Sequence, residues 1–459
     1  MPTAFKVVNQ LVKDLTHGRP MPLILKFCLP LFTGNLFQQL YNLVDTIVVG
    51  KFVGTTALSA VGSVGSINFM VIGSILGFCA GLAIPIAQAF GAEDYKRMRK
   101  IMAHITYIAI ALSVVITIVT VAFTDSVLRL MNTPDDIFDY AHDYISIIFA
   151  GIPATVLYNV LASVIRSVGD SKTPLYFLIV SSVINIALDL LLVVNFDMGV
   201  KGVAVATVTS QAVSGILCLI VVKKKFRILH FSREDMKPEK RIFKKLICIS
   251  LPMALQFSIT AMGTIMVQTC VNALGSELIA AITVGSKIVN LLGTPSETIG
   301  LTMATYSGQN LGAGKIDRIK KGVKCAVILG VIYSFVAFFL SKYGGPYAAL
   351  MFLDESETSI LSTITEYFGI CAWFYFALTL IFILRNTLQG MGMSLIAMTG
   401  GVFELVARGI VAFGFITKYG FIAACFSNPI AWIAADVLLI PAYLYQIKKL
   451  QKKMPLKSD

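Results

Sequence analysis

Twelve long apolar stretches divide this sequence, and they restrict its possible folds more than any other feature. A helix needs about 20 consecutive apolar residues to cross the hydrocarbon core of a bilayer. The mean hydropathy of the chain is +0.80, and only 14% of its 459 residues are charged. We therefore predict an all-α membrane protein with twelve transmembrane helices. The stretches cover residues 23–48, 57–87, 102–123, 138–165, 174–195, 201–222, 246–273, 279–308, 322–341, 360–384, 393–416 and 421–446.

The cations of the chain lie mainly in alternate loops. The formal net charge is +13, but the intervening loops, such as residues 133–139 and 354–357, are acidic. Because loops rich in Lys and Arg stay in the cytoplasm, we expect a multi-pass protein of the cell (inner) membrane with both termini cytoplasmic. The same distribution argues against nucleic acid as a partner. The basic loops are residues 93–100, 166–172, 223–245, 315–324 and 448–453.

The two halves of the sequence repeat one pattern. A shift of 221 positions aligns glycines, polar residues and cations without a gap, and one inserted residue brings Pro30 onto Pro252. An even number of spans per half gives both halves the same orientation in the membrane. We therefore predict two six-helix lobes related by a pseudo-two-fold axis along the membrane normal. The aligned pairs include Gly54 with Gly275, Gln88 with Gln309, Gly91 with Gly312, Arg97 with Arg318 and Lys100 with Lys321.

This repeat sets the predicted domain boundaries. The polar, basic segment 223–245 contains no long apolar run and is expected to link the lobes on the cytoplasmic side. We predict an N-terminal lobe over residues 1–222, a C-terminal lobe over 246–446 and a basic cytoplasmic tail over 447–459.

Few ionisable residues lie within the apolar stretches, and each is a functional candidate. A charge at the centre of a membrane helix costs ~2.5–3.5 kcal/mol on insertion scales. Asp45 and Asp189 carry such charges in the first half. In the second half the ionisable residues are Lys287, Glu297, Glu404 and Arg408, of which Lys287, Glu404 and Arg408 are candidates for contact with a substrate.

Asp45 lies on an unusually polar span. Gln38, Tyr41 and Asn42 precede it and could also contact a substrate, while Pro30 removes a helix hydrogen bond and permits bending. A carboxyl group here could exchange a proton or instead make a purely structural hydrogen bond. Both interpretations remain open.

Two further pairs are spaced four residues apart, which places each pair on one helix face. Asn185 and Asp189 could form a small oxygen-rich site, or they could have a purely structural role. Glu404 and Arg408 could pair with each other or contact substrate. Arg385 lies near a predicted cytoplasmic helix end, where anchoring is the expected role.

Several functional classes lack their sequence motifs. The chain contains no GxxxxGK[ST] phosphate loop and no HExxH, and its eight cysteines form no CxxC pair. Such motifs are typical of nucleotide hydrolysis and metal catalysis. We therefore expect no enzymatic activity, no cofactor, no disulfide and no metal site apart from a possible Na⁺ at Asp45, Asn185 and Asp189. Uphill transport would then use an ion gradient.

Five segments together resemble the multidrug and toxic compound extrusion (MATE) family. They are LPLFTGNLFQQLYNLVDTIVVGKFVGTTALSAVG, PIAQAFGAEDYKR with its repeat YSGQNLGAGKIDR, IRSVGDSKTPL and INIALDLLLV. The resemblance covers nearly the whole chain. It implies two lobes around a central cleft with alternating access, and export of organic cations or other amphiphilic compounds in exchange for H⁺ or Na⁺. It also implies small-molecule substrates and membrane lipid as partners, and we expect a monomer.

The resemblance extends to residues of the bacterial, DinF-like branch that couples through an aspartate of the N-terminal lobe. In this branch a helix bends at a proline when the ion site is protonated, and Pro30 matches that proline. The other branch uses acids on helices seven and ten, whereas the corresponding segments PMALQFSITAMG and WFYFALTLIFILR contain none. The runner-up function is a flippase for a lipid-linked precursor, and the choice between H⁺ and Na⁺ stays open. The implied ion-coupling residues are Asp45, Asn159, Asn185, Asp189 and Thr207.

Overall fold

The computed structural model describes residues 14–350 and 358–453, and all regular secondary structure in these ranges is helical, without strands. The α-helices of the first half are α1 (Pro20–Val48), α2 (Thr55–Ser63), α3 (Gly65–Gly91), α4 (Tyr95–Ala122), α5 (Thr124–Leu130), α6 (Asp135–Ala150), α7 (Ile152–Ser167), α8 (Lys172–Leu190) and α9 (Gly199–Lys225). Those of the second half are α10 (Lys240–Val271), α11 (Ser276–Gly312), α12 (Ile316–Phe339), α13 (Gly345–Ala349), α14 (Thr358–Cys371), α15 (Tyr375–Gly390), α16 (Ser394–Ile410) and α17 (Thr417–Lys453).

These helices account for twelve membrane spans. Ten runs among the described residues are long and apolar enough to cross a bilayer, and α6 with α7 forms another, bent by 46°. One run, Ser394–Lys453, has 60 residues and would measure roughly 90 Å as a single helix. It is broken at Gly420, where φ is 58° and ψ is −132°, so it provides two spans. The predicted fold class is therefore confirmed.

The bend between α6 and α7 has a local cause. Gly151 separates the two helices, and a Cβ at this position would lie 2.2 Å from a methyl group of Val208 on α9. Pro153 occupies the first turn of α7, where its missing N–H would have had no helical partner. The close approach of α9 thus requires glycine at the bend.

The described chain forms two compact units. The first contains residue 14 and residues 29–254, and the second contains residues 15–28, 255–350 and 358–453. The division falls inside α1, next to Pro30, and inside α10, next to Pro252. The lobe boundaries at 222 and 246 stay sequence-based predictions. By contacts, the predicted linker 223–245 belongs to the first unit.

Polar contacts hold this linker on the first unit. Tyr107 donates to the carbonyl of Met236 at 3.3 Å, and the N–H of Glu239 donates to His104 Nε2 at 2.9 Å. The N–H of Ser232 donates to Asp235 at 2.9 Å, and this bond holds the pKa of the Asp235 carboxyl below its usual value. The segment is therefore folded onto the helices that precede it.

The first unit buries a large apolar core in which α9 packs against α7 and α8, and α3 packs against α7. A smaller cluster of valines and alanine includes Val48, Ala57 and Val193. There, α1 and α8 continue as π-helical turns, Val49–Val53 and Leu191–Asn195. Such turns often occur at functional sites. Asp45 and Asp189 lie just before them.

The second unit is built around α11, which packs closely on α12 and α15. Glycines allow this approach. A Cβ on Gly300 would lie 2.7 Å from the carbonyl oxygen of Phe382, and one on Gly322 would lie 2.2 Å from the ring of Tyr306. At such positions any larger side chain must push two helices apart.

Gly390→Ala should lower the thermal stability of the protein. Its Cβ would lie 2.2 Å from the carbonyl oxygen of Ala304, and overpacking typically costs about 1–3 kcal/mol. Gly369→Ala, on α14, is the matched control, because a Cβ there meets no atom within 4 Å. The midpoint of thermal unfolding in detergent measures both variants. Equal midpoints for the two would show that the contact between α11 and α15 is not tight.

Candidate functional site

Three helices of the first unit bring Asp45, Asp189 and Thr207 together. Asp45 lies in the last turn of α1, Asp189 in the last turn of α8, and Thr207 on α9. The carboxyl groups of Asp45 and Asp189 lie near enough to interact electrostatically. Thr207 Oγ1 lies 3.5 Å from Asp45 Oδ2 and donates to its own helix, to the carbonyl of Val203, at 3.0 Å. Thr207 therefore satisfies the Asp45 carboxyl only weakly.

Most polar atoms of the acidic pair and of Asn185 are buried without a hydrogen-bond partner among the described residues, although Asp45 as a whole is half-buried. Asn185 and Asp189 are 0% exposed. Both carboxyl oxygens of Asp189, Oδ1 of Asp45 and both polar atoms of the Asn185 side chain make no hydrogen bond within the described chain. Buried polar atoms are nearly always paired, and two nearby carboxylates repel each other. A proton or a small cation would remove this deficit, so the geometry suits ion binding.

Two tyrosines complete the surroundings of the pair. Tyr41, 8% exposed, faces Asp45 and Thr207, and Tyr144 of α6 faces both aspartates. Tyr144 was not among the sequence-based candidates. Tyrosine also occurs in apolar cores, so neither the residue type of Tyr144 nor its position in the sequence marked it as a site residue.

No contact with the acidic pair is recorded for the other predicted residues that the structure describes. Asn159 donates to the carbonyl of Thr155 in its own helix at 2.8 Å. Gln38 is half-buried and Asn42 is exposed. The helix α1 continues through Pro30, from Pro20 to Val48.

A second buried cluster lies in the second unit, around Glu404. Arg385 donates to Glu404 Oε1, and Arg408 Nη2 lies 3.6 Å from Glu404 Oε2. The exposed fractions of all three residues are only 5–6%. Glu404 and Arg408 thus pair, but Arg385 is the principal partner. The expected anchoring role of Arg385 at a helix end is wrong, because its side chain is buried within the unit. Lys287 is exposed on α11.

The cluster extends to two amides and another acid. Gln389 Nε2 donates to Gln256 Oε1 at 2.8 Å; with the Gln256 amide rotated, that bond is replaced and the Gln256 oxygen accepts from Arg385 Nη1 at 3.0 Å. Asp436 of α17, 7% exposed, interacts electrostatically with Arg385. Asp436 is absent from the sequence-based candidates, although an acid inside an apolar stretch is the same signal that marks Asp45. The cluster therefore balances two guanidinium groups against two carboxyl groups.

Residues 14–350 and 358–453 contain no group of three or more His, Cys, Asp or Glu side chains placed to hold a metal ion. The acidic pair has only two such side chains, and its remaining candidate ligands are amide and hydroxyl oxygens.

The chain matches a known protein family twice. The model of the MatE family matches residues 30–191 and residues 252–413. The two matches begin 222 positions apart (252 − 30), the spacing at which Pro30 aligns with Pro252. The family pattern therefore follows the internal repeat.

Curated relatives are similar over most of their length. The probable multidrug resistance protein YoeA of Bacillus subtilis is 28% identical, over 93% of this chain and 94% of its own. The probable multidrug resistance protein YpnP of the same organism is 25% identical, over 92% and 91%. The probable multidrug resistance protein NorM of Thermotoga maritima is 24% identical, over 81% and 80%.

Solved structures share the fold. An outward-facing multidrug resistance MATE family transporter of the MOP superfamily superposes with a TM-score of 0.90 at 22% identity, covering 95% of this chain and 98% of its own. A MOP superfamily transporter from Pyrococcus furiosus, described as having a binding pocket of reverse polarity, also gives 0.90, at 21% identity and with the same coverage.

Proposed function

The chain belongs to the MatE family of multi-pass membrane transporters, and from that premise we propose that it exports organic cations or other amphiphilic compounds by antiport with H⁺ or Na⁺. It is a transporter and not an enzyme. Curated relatives that match nearly the whole chain are named multidrug resistance proteins, which supports drug-like compounds as substrates.

One observation carries the ion-coupling part of the proposal. Asp45 and Asp189 hold interacting carboxyl groups, three of whose oxygens are buried and make no hydrogen bond to any residue that the structure describes. Uptake of H⁺ or Na⁺ from outside would neutralise this pair and supply the missing partner. Asn185 adds an amide oxygen in the same buried region. Release of the ion inside would restore the repulsion, so the two states of the pair differ in energy.

Coupling follows when the ion and the drug favour different conformations of the first lobe. A ligand shifts a conformational equilibrium only through its different affinities for the two states. The helices α1, α8 and α9 carry the ion ligands, so ion uptake favours the arrangement in which these helices converge. Bending of α1 at Pro30 would transmit the change along that helix. Drug release then accompanies ion entry.

The second buried cluster helps to separate export from the lipid-flippase alternative. A flippase for an anionic, lipid-linked precursor is expected to carry an excess of cations in its binding region. The cluster around Glu404 instead balances Arg385 and Arg408 against Glu404 and Asp436. This balance of positive and negative charges favours drug export over the flipping of an anionic lipid-linked precursor. We also propose an inner-membrane monomer with both termini in the cytoplasm, following the basic loops.

Transport in reconstituted vesicles tests the proposal. Vesicles loaded with a fluorescent organic cation should lose it faster when a pH gradient or a Na⁺ gradient is imposed, and collapsing that gradient with an ionophore should stop the effect. Imposing the gradients separately identifies the coupling ion. Release at the same rate with and without gradients would exclude antiport.

A further inference from the structure

A basic cavity of about 360 Å³ lies in the first unit, where α3 ends, α4 begins and α10 starts. Its floor is apolar, formed by residues such as Pro85, Ile101 and Leu246. Two carboxylates, Asp94 and Glu239, also line it, so the cations exceed the anions by three. The five cations are Lys96, Arg97, Lys100, Arg241 and Lys245.

Part of this charge is already compensated. Lys100 pairs with Glu239 and holds the pKa of that carboxyl below its usual value, and Lys245 donates to Gln88 Oε1 at 2.9 Å. Asp94 accepts from the backbone N–H of Arg97 at 3.0 Å, as a helix cap. The Arg97 guanidinium makes no hydrogen bond or ion pair within the described chain, and it lies close enough to Lys245 for the two charges to repel. An anion between them would be stabilised.

The internal repeat shows what such an arginine binds in the other half. Arg318 is the counterpart of Arg97, 221 positions later. Its guanidinium donates to the carbonyl of Gly18 at 2.9 Å, to that of Leu15 at 3.2 Å and to Asn310 Oδ1 at 2.9 Å. In the second unit, oxygen atoms of the chain itself therefore surround the arginine. In the first unit, an open cavity lies at Arg97 instead.

We propose that this cavity binds a phosphate group, carried by a phospholipid headgroup or by a soluble phosphate, with Arg97 as its central contact. The planar guanidinium matches phosphate oxygens in pairs. Lys96 and Arg241 are exposed cations of the same cavity and provide additional charge. Basic pockets at membrane-helix ends are suited to anionic lipid headgroups.

Thermal unfolding of the purified full chain in detergent provides the test. Phosphatidylglycerol and inorganic phosphate are added in separate titrations, with phosphatidylcholine and an equal ionic strength of chloride as their respective controls. A rise in the unfolding midpoint with phosphatidylglycerol alone assigns the cavity to lipid, and a rise with inorganic phosphate assigns it to soluble phosphate.

Two variants show whether Arg97 is responsible. Arg97→Gln should weaken the apparent affinity by about tenfold or more, the loss expected for one charge-assisted contact. Arg233→Gln removes the same charge from an exposed linker residue outside the cavity and should leave the affinity unchanged. The proposal is overturned if neither ligand raises the midpoint, or if the two variants weaken binding equally.

Discussion

Asp45→Asn is expected to abolish gradient-driven efflux while the protein stays folded in the membrane. Asparagine has nearly the shape of aspartate but can neither bind a proton nor attract a cation by charge. The acidic pair would keep only the Asp189 carboxyl. Because the substitution removes a like charge from a buried position, it should not destabilise the fold. Efflux from vesicles and the amount of folded protein are the two measurements.

Asp197→Asn is the matched control for this experiment. Asp197 is an exposed residue of the same half, in the turn between α8 and α9, with a φ of 51° that asparagine also tolerates. Its replacement should leave efflux at the level of the unmodified protein. If Asp45→Asn transported as fast as this control under the same gradient, the acidic pair would not be the coupling site.

Glu404→Gln is expected to give the largest loss of stability, roughly 3–5 kcal/mol, because breaking one partner of a buried ion pair leaves charges uncompensated. Arg385 and Arg408 are each 6% exposed; among the described residues, Arg385 would keep the Asp436 carboxyl as a counter-charge, whereas Arg408 would lose its ion pair. The unfolding midpoint and the yield of monodisperse protein in detergent should both fall sharply.

Double variants can identify the partner of Glu404. Combining Glu404→Gln with Arg385→Gln should recover more stability than combining it with Arg408→Gln, since Arg385 makes the direct hydrogen bond and Arg408 lies 3.6 Å away. Interaction energies from such cycles isolate the pairwise contribution. A larger recovery with Arg408→Gln would contradict the geometry described for this cluster.

The fold was predictable because its main determinant is local. Each apolar stretch must form a helix in lipid to satisfy its backbone, so the span count required no knowledge of tertiary contacts. Asp45 and Asp189 were found for a related reason, since a carboxyl group in an apolar stretch is costly wherever the helix packs. Their interaction across α1 and α8 follows from packing, which spacing along the chain does not reveal.

The arginines show where sequence patterns stop being informative. Arg385 sits near the end of an apolar stretch, and long cations at helix ends commonly extend to the membrane surface. The structure instead buries it against Glu404, 19 positions later. The direction of that side chain depends on how α15 and α16 pack together. Tyr144 was not predicted as a site residue for a similar reason, because only its neighbours distinguish it from an ordinary core tyrosine.

The division of the chain inside α1 and α10 has a consequence for how the duplicated protein holds together. Each repeat contributes the opening turns of its own first helix, residues 20–28 or 240–254, to the unit built mainly by the other repeat, and residues 15–19 before α1 belong there too. This is the connectivity of a domain-swapped dimer whose two subunits have become one chain. Neither repeat contains a complete unit, so a fragment cut at the sequence midpoint would lack part of its own packing, and the two repeats should fold and unfold together.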